Sequence, residues 1–175
     1  RTSLLILFIN ISMRKKLILD TARRLYNERG LSNVTIRQIA QEMNISSGNL
    51  TYHFEKRGDL VKGIFQDLIS IENKFLSLYR QTTLNKKQLN NLMKSHAKAM
   101  FHYRFFWIDF VQVGRENLNT QKKLDGLMGN RLDELDYDWA NYLNQFLYLM
   151  ATSNLNFTSK ALEIHFKKIE EKVFL

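Results

Sequence analysis

One short stretch of the chain is rich in side chains that hydrogen-bond to other molecules while filling little space. Its predicted exposed residues are Ser47, Gly48, Asn49, Thr51, Tyr52 and His53. Amide and hydroxyl groups can pair with DNA bases, because each base pair presents a fixed pattern of donors and acceptors in the major groove. Arg37, Lys56 and Arg57 flank the stretch and can reach phosphates or base edges. The residue types therefore favour recognition of a nucleic acid.

Two short helices must position this surface. Thr35 has the capping-box arrangement, with Gln38 three residues after the capping hydroxyl. The buried face of the helix that follows is predicted to hold Ile36, Ile39, Ala40 and Met43. Residues 44–45 predict a tight turn, and Ser46 can cap a second helix that runs to about residue 54. A helix, a four-residue turn and a second helix are typical of the helix-turn-helix, whose second helix enters the major groove of DNA.

Longer helices are predicted on both sides of this motif. The first runs from Arg14 to Gly30, which provides a left-handed stop. Its buried stripe is predicted to consist of Leu17, Ile18, Ala22, Leu25 and Tyr26. Another helix begins at about Arg57. Further helices are predicted over residues 86–101, 103–116, 121–131, 134–153 and 158–174, so that the fold is all-α with about nine helices.

The composition of the chain is consistent with a nucleic-acid-binding surface on an all-α fold and excludes several other kinds of site. The chain has 175 residues, no proline, no cysteine and seven glycines. Proline and glycine are common in turns, so their scarcity favours an all-α fold. The lack of cysteine excludes a disulfide scaffold, a thiolate metal site and a cysteine nucleophile. The net charge of +9 favours an anionic partner, either nucleic acid or a membrane surface, and residues 1–65 hold 11 Lys and Arg against 5 Asp and Glu.

Four segments resemble the DNA-binding part of the tetracycline-repressor (TetR) family. They are residues 18–30 (ILDTARRLYNERG), 35–40 (TIRQIA), 45–54 (ISSGNLTYHF) and 56–60 (KRGDL). The resemblance covers about residues 14–65 and implies a three-helix DNA-reading head. Beyond it, the resemblance is one of architecture, with a helical domain that binds a small molecule and forms a homodimer. The implied function is that of a ligand-responsive transcriptional regulator, a repressor, that binds a near-palindromic operator in double-stranded DNA.

The resemblance also implies roles for individual residues. Thr35 is expected to bind a phosphate through its hydroxyl and nearby backbone N–H groups, and Arg37 to reach guanine. Asn49 can pair with adenine, and Tyr52 and His53 are expected to hold the phosphate backbone. The complete set of expected DNA-binding residues is Thr35, Arg37, Ser46, Ser47, Gly48, Asn49, Thr51, Tyr52, His53, Lys56 and Arg57.

Four positions depart from the pattern of the family. An aromatic residue is usual where Thr51 stands, and a basic residue is frequent where Ser47 stands. Proline is frequent where Glu55 stands, and an acidic residue where Gly58 stands. The small Ser47 and Thr51 imply fewer or shorter contacts with bases, which changes the operator rather than the fold.

The second half of the chain is predicted to contain the effector pocket. Residues 102–111 are aromatic on every face of the predicted helix, which indicates a buried helix. By resemblance, the pocket is lined by Met93, His96, Met100, Tyr103, Phe106, Trp107, Phe110 and Trp139. Ordinary core packing explains each of these residues equally well. Such a lining implies a small, largely apolar effector with a few polar contacts, whose binding shifts the spacing of the two DNA-reading heads.

The last two predicted helices are expected to form the dimer interface. The residues expected there are Tyr142, Phe146, Leu149, Leu162, His165, Phe166 and Ile169. A dimer is favoured independently, because half-sites repeat about every 34 Å along DNA and one small head binds weakly. We expect no cofactor and no metal. The acidic residues at 133–138 are best interpreted as a solvated helix end.

Other classes of function are less well supported. No phosphate-binding glycine loop, HExxH motif or nucleophile elbow is present, so no enzyme is expected. A helical interaction or lipid-binding module is the alternative, motivated by the apolar run at residues 4–9 and the aromatic helix. That run is too short to span a membrane, and we expect no membrane partner and a cytoplasmic location.

The predicted organisation has three parts. Residues 1–13 form an N-terminal extension, with Met13 a plausible true start, and residues 14–60 form the helix-turn-helix domain. Residues 61–175 form the helical ligand-binding and dimerisation domain. The apolar end of the chain leaves open whether the native protein continues beyond Leu175.

Overall fold

The computed structural model describes residues 2–81 and 85–134, together with the single residues 160, 163, 164 and 167. Every regular element in these residues is helical, which confirms the all-α prediction. The helices are α1 (Thr2–Arg29), α2 (Ile36–Glu42), α3 (Ser47–His53), α4 (Arg57–Gln81), α5 (Lys86–Phe101), α6 (Phe105–Ile108), α7 (Phe110–Glu116) and α8 (Leu118–Glu134). A short 3-10 turn at Leu31–Asn33 joins α1 to α2.

The predicted caps and turn of the helix-turn-helix are confirmed. Thr35 Oγ1 accepts a hydrogen bond from the backbone N–H of Gln38 at 3.2 Å, and Gln38 Oε1 accepts from the N–H of Thr35 at 2.7 Å. Asn44 adopts a left-handed φ of 54° in the turn, a conformation that asparagine tolerates. Ser46 then caps α3 by accepting from the N–H of Asn49 at 3.1 Å.

The first helix begins earlier than the sequence predicts. α1 is continuous from Thr2 instead of starting at Arg14, because no glycine or proline interrupts residues 2–29. Ile9, Met13 and Leu17 repeat every four residues and are 47%, 63% and 54% exposed. The prediction of a buried stripe is therefore wrong at Leu17. The other predicted residues of the stripe are completely buried, namely Ile18, Ala22, Leu25 and Tyr26.

One hydrophobic core joins the head to the helices that follow it. From the head it takes buried residues of α1, α2 and α3, including Leu25, Ile39 and Leu50. From α6 it takes Phe105 and Phe106, both completely buried. Burying one large apolar side chain is worth roughly 1.5–3 kcal/mol, so this shared core ties the head firmly to α6.

Two glycines allow turns and contacts that other residues would disturb. Gly30 ends α1 at a φ of 83°, as the sequence predicts. Gly58 explains one departure from the family pattern, because a Cβ there would lie 2.5 Å from the carbonyl oxygen of Glu116. An acidic side chain at this position would push α7 away from the start of α4.

The predicted helix over residues 103–116 is wrong as a single helix. A turn occupies residues 102–104, and α6 and α7 are separate helices that meet at Asp109. The carboxylate of Asp109 accepts a hydrogen bond from the backbone N–H of Leu31 at 2.7 Å. A segment that is apolar on every face carries no periodicity that marks such a break.

The buried amide of Asn27 completes the contact between α1 and α6. Its Nδ2 donates to the carbonyl oxygen of His102 at 2.7 Å, and its Oδ1 accepts from the N–H of Phe105 at 3.1 Å. Arg104 Nη2 donates to the backbone carbonyl of Asn27 at 3.0 Å. The turn at residues 102–104 is therefore bonded to α1 by side chains in both directions.

The last two predicted helices lie mostly outside the described residues. The predicted helix over residues 134–153 lies almost entirely outside the described residues, and of the helix over 158–174 only residues 160, 163, 164 and 167 are described, all helical. Within the part that the structure describes, no helix is both long enough and apolar enough to cross a membrane.

Replacing Asn27 with alanine is expected to lower the free energy of unfolding by about 1–3 kcal/mol, because the buried N–H of Phe105 loses its acceptor. The carbonyl of His102 also loses one hydrogen bond and keeps the one from Arg23. Urea denaturation followed by circular dichroism measures this loss. Asn33→Ala is the matched control: Asn33 is exposed and donates to the carbonyl of Arg29 at 2.8 Å, so its loss should be below about 1 kcal/mol. Equal losses for the two variants would contradict the role of Asn27.

Candidate nucleic-acid interface

α3 presents a continuous polar face to solvent. Leu50 is completely buried and anchors the helix in the core. The side chains on the other faces of the helix are exposed, namely Ser47, Asn49, Thr51 and Tyr52, and the backbone at Gly48 is exposed with them. Tyr52, at 80% exposure, is the most exposed large hydrophobic residue in the part of the chain that the structure describes. This is the geometry that a helix needs to enter a DNA groove.

Gly48 leaves open space in the middle of this face. A Cβ at this position would meet only Ser46 Oγ, at 4.0 Å. The protein itself therefore does not require glycine here. What glycine provides is a bare backbone, to which another molecule can approach closely.

Several hydroxyls predicted to contact DNA are already used inside the head. Thr51 Oγ1 donates to the carbonyls of Ser47 and Gly48 at 3.0 and 3.2 Å, so that it faces solvent with its methyl group and oxygen lone pairs. Thr35 Oγ1 donates to Gln38 Oε1 at 3.0 Å. Thr35 therefore has no free hydroxyl hydrogen for a phosphate, whereas the Thr51 methyl can contact the methyl group of thymine.

Arg37 and Lys56 remain available for DNA. Both are exposed, and no hydrogen bond or ion pair of their side chains occurs among the described residues. Arg37 lies in the first turn of α2, and Lys56 immediately precedes α4. They place two positive charges beside α3, where phosphates would pass.

Arg57 is placed differently from the prediction. Its guanidinium donates to the carbonyl of Val34 at 3.2 Å and forms an ion pair with Glu116. The hydrogen bond to Glu116 is the main reason that the pKa of Arg57 is raised. Arg57 therefore connects the start of α4 both to α7 and to the loop that precedes α2. The phosphate contact predicted for Arg57 is not supported, because its guanidinium is already bonded within the protein. Sequence reasoning could not find this pair, because its members are 59 positions apart.

Two basic residues of α1, Arg14 and Lys15, lie near the end of α3, which the sequence did not predict. The pKa of His53 is lowered, first by burial and then by the positive charges of Lys15 and Arg14. His53 ends α3, so both cations lie near that end of the recognition surface, and both are exposed. A neutral His53 at pH 7 follows from the lowered pKa. The basic run was visible in the sequence, but its position beside α3 was not.

The residues expected to line the effector pocket fall into two separate groups. Tyr103 and Phe106 belong to the core shared with the head, where the Phe106 ring meets Phe65 edge-on at 5.7 Å between centroids. Trp107 and Phe110 pack against this core. For these four residues the structure favours core packing over a pocket lining. Phe105, which was not predicted, is completely buried beside them.

The second group lies on α5. Met93, His96 and Met100 are buried and share one face of the helix. His96 Nε2 lies 2.8 Å from Glu72 Oε1 of α4. Trp139 and the residues expected at the dimer interface, Tyr142, Phe146, Leu149, Leu162, His165, Phe166 and Ile169, lie outside the described residues.

Known proteins resemble the head most clearly. Residues 18–64 match the family model described as "Bacterial regulatory proteins, tetR family". The HTH-type transcriptional repressor KstR2 of Mycolicibacterium smegmatis is 26% identical over 90 residues, which are 51% of this chain and 44% of that protein. The negative transcriptional regulator IcaR of the icaADBC biofilm operon of Staphylococcus aureus is 23% identical over 75% of this chain and 68% of its own length. The chain thus spans less than half of KstR2 and about two thirds of IcaR.

A solved structure has the same fold. A TetR-family regulator from Marinobacter aquaeolei superposes with a TM-score of 0.75 at 19% identity, covering 90% of this chain and 87% of its own. These relatives are regulators of transcription. The family match spans α2, α3 and the parts of α1 and α4 that pack against them. The helix-turn-helix head of this chain, residues 18–64, is therefore similar to that of the TetR family of bacterial regulatory proteins.

Proposed function

We propose that this chain is a ligand-responsive repressor that binds a near-palindromic operator as a homodimer and is released by a small, largely apolar effector. The exposed face of α3, held by the buried Leu50, carries the proposal. Residues 14–60 would read the DNA, and residues 61–175 would bind the effector and the second subunit. The protein would act in the bacterial cytoplasm, where its DNA lies, without a cofactor.

The charge of the head supports DNA as the partner. Arg14, Lys15, Arg37 and Lys56 are exposed around the ends of α2 and α3. Each phosphate neutralised by such a cation releases counterions, which makes binding depend steeply on salt. A dimer follows from the size of the head, because one seven-residue recognition helix reads only one half-site.

The connections between the head and α6–α7 support control by an effector. Asn27 bonds to the turn before α6, Asp109 bonds to Leu31, and Arg57 pairs with Glu116. The contacts are at the C-terminal end of α1, the loop after it and the start of α4. An effector that moves α6 or α7 would therefore move the head as one body, which changes the distance between the two heads of a dimer.

Selection from a random pool of duplexes tests the proposal directly. The expected result is a near-palindromic site, bound with an affinity that falls steeply as salt rises. Fluorescence anisotropy of the selected duplex between 50 and about 200 mM salt measures both properties. Equal, weak binding to every sequence would contradict the proposal, and binding to anionic vesicles alone would favour the lipid-binding alternative.

Substitutions of Arg37 and Lys56 are expected to have different effects. Arg37→Ala should reduce the preference for the selected site over base-changed duplexes, because a lost base contact costs about 1–3 kcal/mol of discrimination. Lys56→Ala should weaken binding to all duplexes alike and reduce the dependence on salt by about one phosphate. Anisotropy titrations with the selected duplex and two base-changed duplexes separate the effects. Uniform losses for both variants would contradict this division of roles.

Gly48→Ala is expected to fold normally and to bind the operator at least about tenfold more weakly. The new methyl group meets only Ser46 Oγ within the protein, at 4.0 Å, and so would fill the space between α3 and the DNA. Gly126→Ala is the matched control, because Gly126 is a helical, exposed glycine with no atom within 4 Å of its Cβ position. Both variants should be as stable as the unmodified chain, and only Gly48→Ala should lose affinity. Unchanged operator affinity in Gly48→Ala would mean that this face does not approach DNA closely.

A further inference from the structure

The N-terminal part of α1 carries an apolar stripe that faces solvent. Between residues 9 and 17 nearly every side chain is exposed, and Ile18 is the first after them that is completely buried. Ile9, Met13 and Leu17 are 47%, 63% and 54% exposed and follow one another at intervals of four residues. Residues four apart are neighbours on a helix, so these three side chains form one stripe about 12 Å long.

Positive charges flank this apolar stripe on both sides. Successive residues of a helix are rotated by about 100°, which places Arg14 on one side of the stripe and Lys16 on the other. Both residues are exposed. The shallow groove along this side of α1 is lined by Asn10, Met13, Arg14, Lys16, Leu17 and Asp20. Long basic side chains at such edges cover apolar surface with their methylene groups and extend their charges beyond it.

The N-terminal part of α1 carries charge of one sign only. Residues 1–19 contain four basic residues, Arg1, Arg14, Lys15 and Lys16, and no Asp or Glu. The first acidic residue is Asp20, which lies at the C-terminal end of the groove and pairs with Arg23 at 3.1 Å. A surface that is apolar along its centre and positive at its edges is complementary to an anionic lipid bilayer, whose phosphates lie above the acyl chains.

Two other occupants fit the stripe less well. The DNA backbone would attract the cations, but its phosphates and sugars would leave the apolar side chains in contact with water. A second copy of α1 could cover the apolar side chains. It would also bring Arg14 and Lys16 against the cations of its partner, with no acidic residue from residues 1–19 to compensate them.

We propose that the N-terminal part of α1, residues 2–17, binds an anionic lipid surface. Ile9, Met13 and Leu17 enter the boundary between headgroups and acyl chains, while Arg14 and Lys16 bind lipid phosphates. Residues 4–9, which are all apolar, belong to the same helix. The expectation of no membrane partner rests on the length needed to span a bilayer, which a helix lying in its surface does not require.

Binding to lipid would compete with binding to DNA. Arg14 and Lys15 lie near His53, which is the last residue of α3. A bilayer that contacts α1 at these residues would therefore occupy the space in front of the recognition helix. This adds a second anionic partner to the proposed regulator, with the two partners sharing one basic edge of the head.

Co-sedimentation of the full chain with lipid vesicles tests this proposal. One set of vesicles contains equal parts of phosphatidylglycerol and phosphatidylcholine, and the other contains phosphatidylcholine alone. Met13→Ser combined with Leu17→Ser removes exposed apolar surface from the stripe and keeps every charge. Val111→Ser combined with Leu118→Ser is the matched control, because these residues are 65% and 57% exposed and lie on α7 and α8. Circular dichroism checks that both double variants are folded.

The unmodified chain and the control variant should bind the mixed vesicles at least about tenfold more tightly than the neutral ones, because each cation near an anionic surface adds to the affinity. The Met13 and Leu17 variant should bind the mixed vesicles at least about tenfold more weakly than the control, because it buries less apolar surface. Its affinity for the selected duplex should be unchanged. Mixed vesicles should release the duplex from the control variant but not from the Met13 and Leu17 variant.

The proposal is overturned if the full chain does not bind the mixed vesicles, or if the Met13 and Leu17 variant binds them as tightly as the control. Equal losses of duplex and vesicle affinity in that variant would mean that the stripe contacts DNA. A lower oligomeric state of that variant in sedimentation velocity would mean that the stripe contacts a second copy, and either result contradicts the proposal. A chain that keeps the duplex while bound to mixed vesicles would refute the competition. The selection of a duplex is performed without lipid, so its failure contradicts only the proposed function.

Discussion

The fold depends on one buried contact, in which the side-chain amide of Asn27 bonds to both sides of the turn that leads into α6. Polar groups in such a position must be paired, since an unpaired buried group costs about 1–3 kcal/mol. The pairing fixes α6 against α1 and places Phe105 and Phe106 in the same core as the DNA-reading helices. The head is therefore built partly from residues that lie more than 70 positions further along the chain.

The recognition surface shows how internal bonds divide the polar residues by role. Ser46, Thr35 and Thr51 use their hydroxyls to cap or brace short helices. Such helices need this support, because seven residues are too few for a helix to be stable without caps and tertiary packing. The residues left free, Arg37 and Lys56 above all, are those whose charges or long side chains can reach DNA. By the same reasoning, Arg57 stabilises the fold and is not available for DNA, because its guanidinium is bonded within the protein.

The effector half shows a comparable division. The aromatic residues after residue 102, which invite interpretation as a pocket lining, largely fill the core beside the head. The buried polar pair of Glu72 and His96 lies instead between α4 and α5, in apolar surroundings. Aromatic content by itself does not identify a pocket, since aromatic side chains are equally suited to core packing.

The sequence by itself determined the elements whose signals are local. The all-α fold, both caps of the helix-turn-helix, the stop at Gly30 and the exposed face of α3 follow from residue types at short spacing, and the structure agrees with each of them. Only the tertiary structure decided the break at Asp109, the internal role of Arg57, the position of Arg14 and Lys15 near the end of α3 and the pairing of His96 with Glu72. Each of these depends on a partner that is distant in the chain. Periodicity and capping patterns report how a segment folds against itself, but they carry no information about which distant group completes its hydrogen bonds.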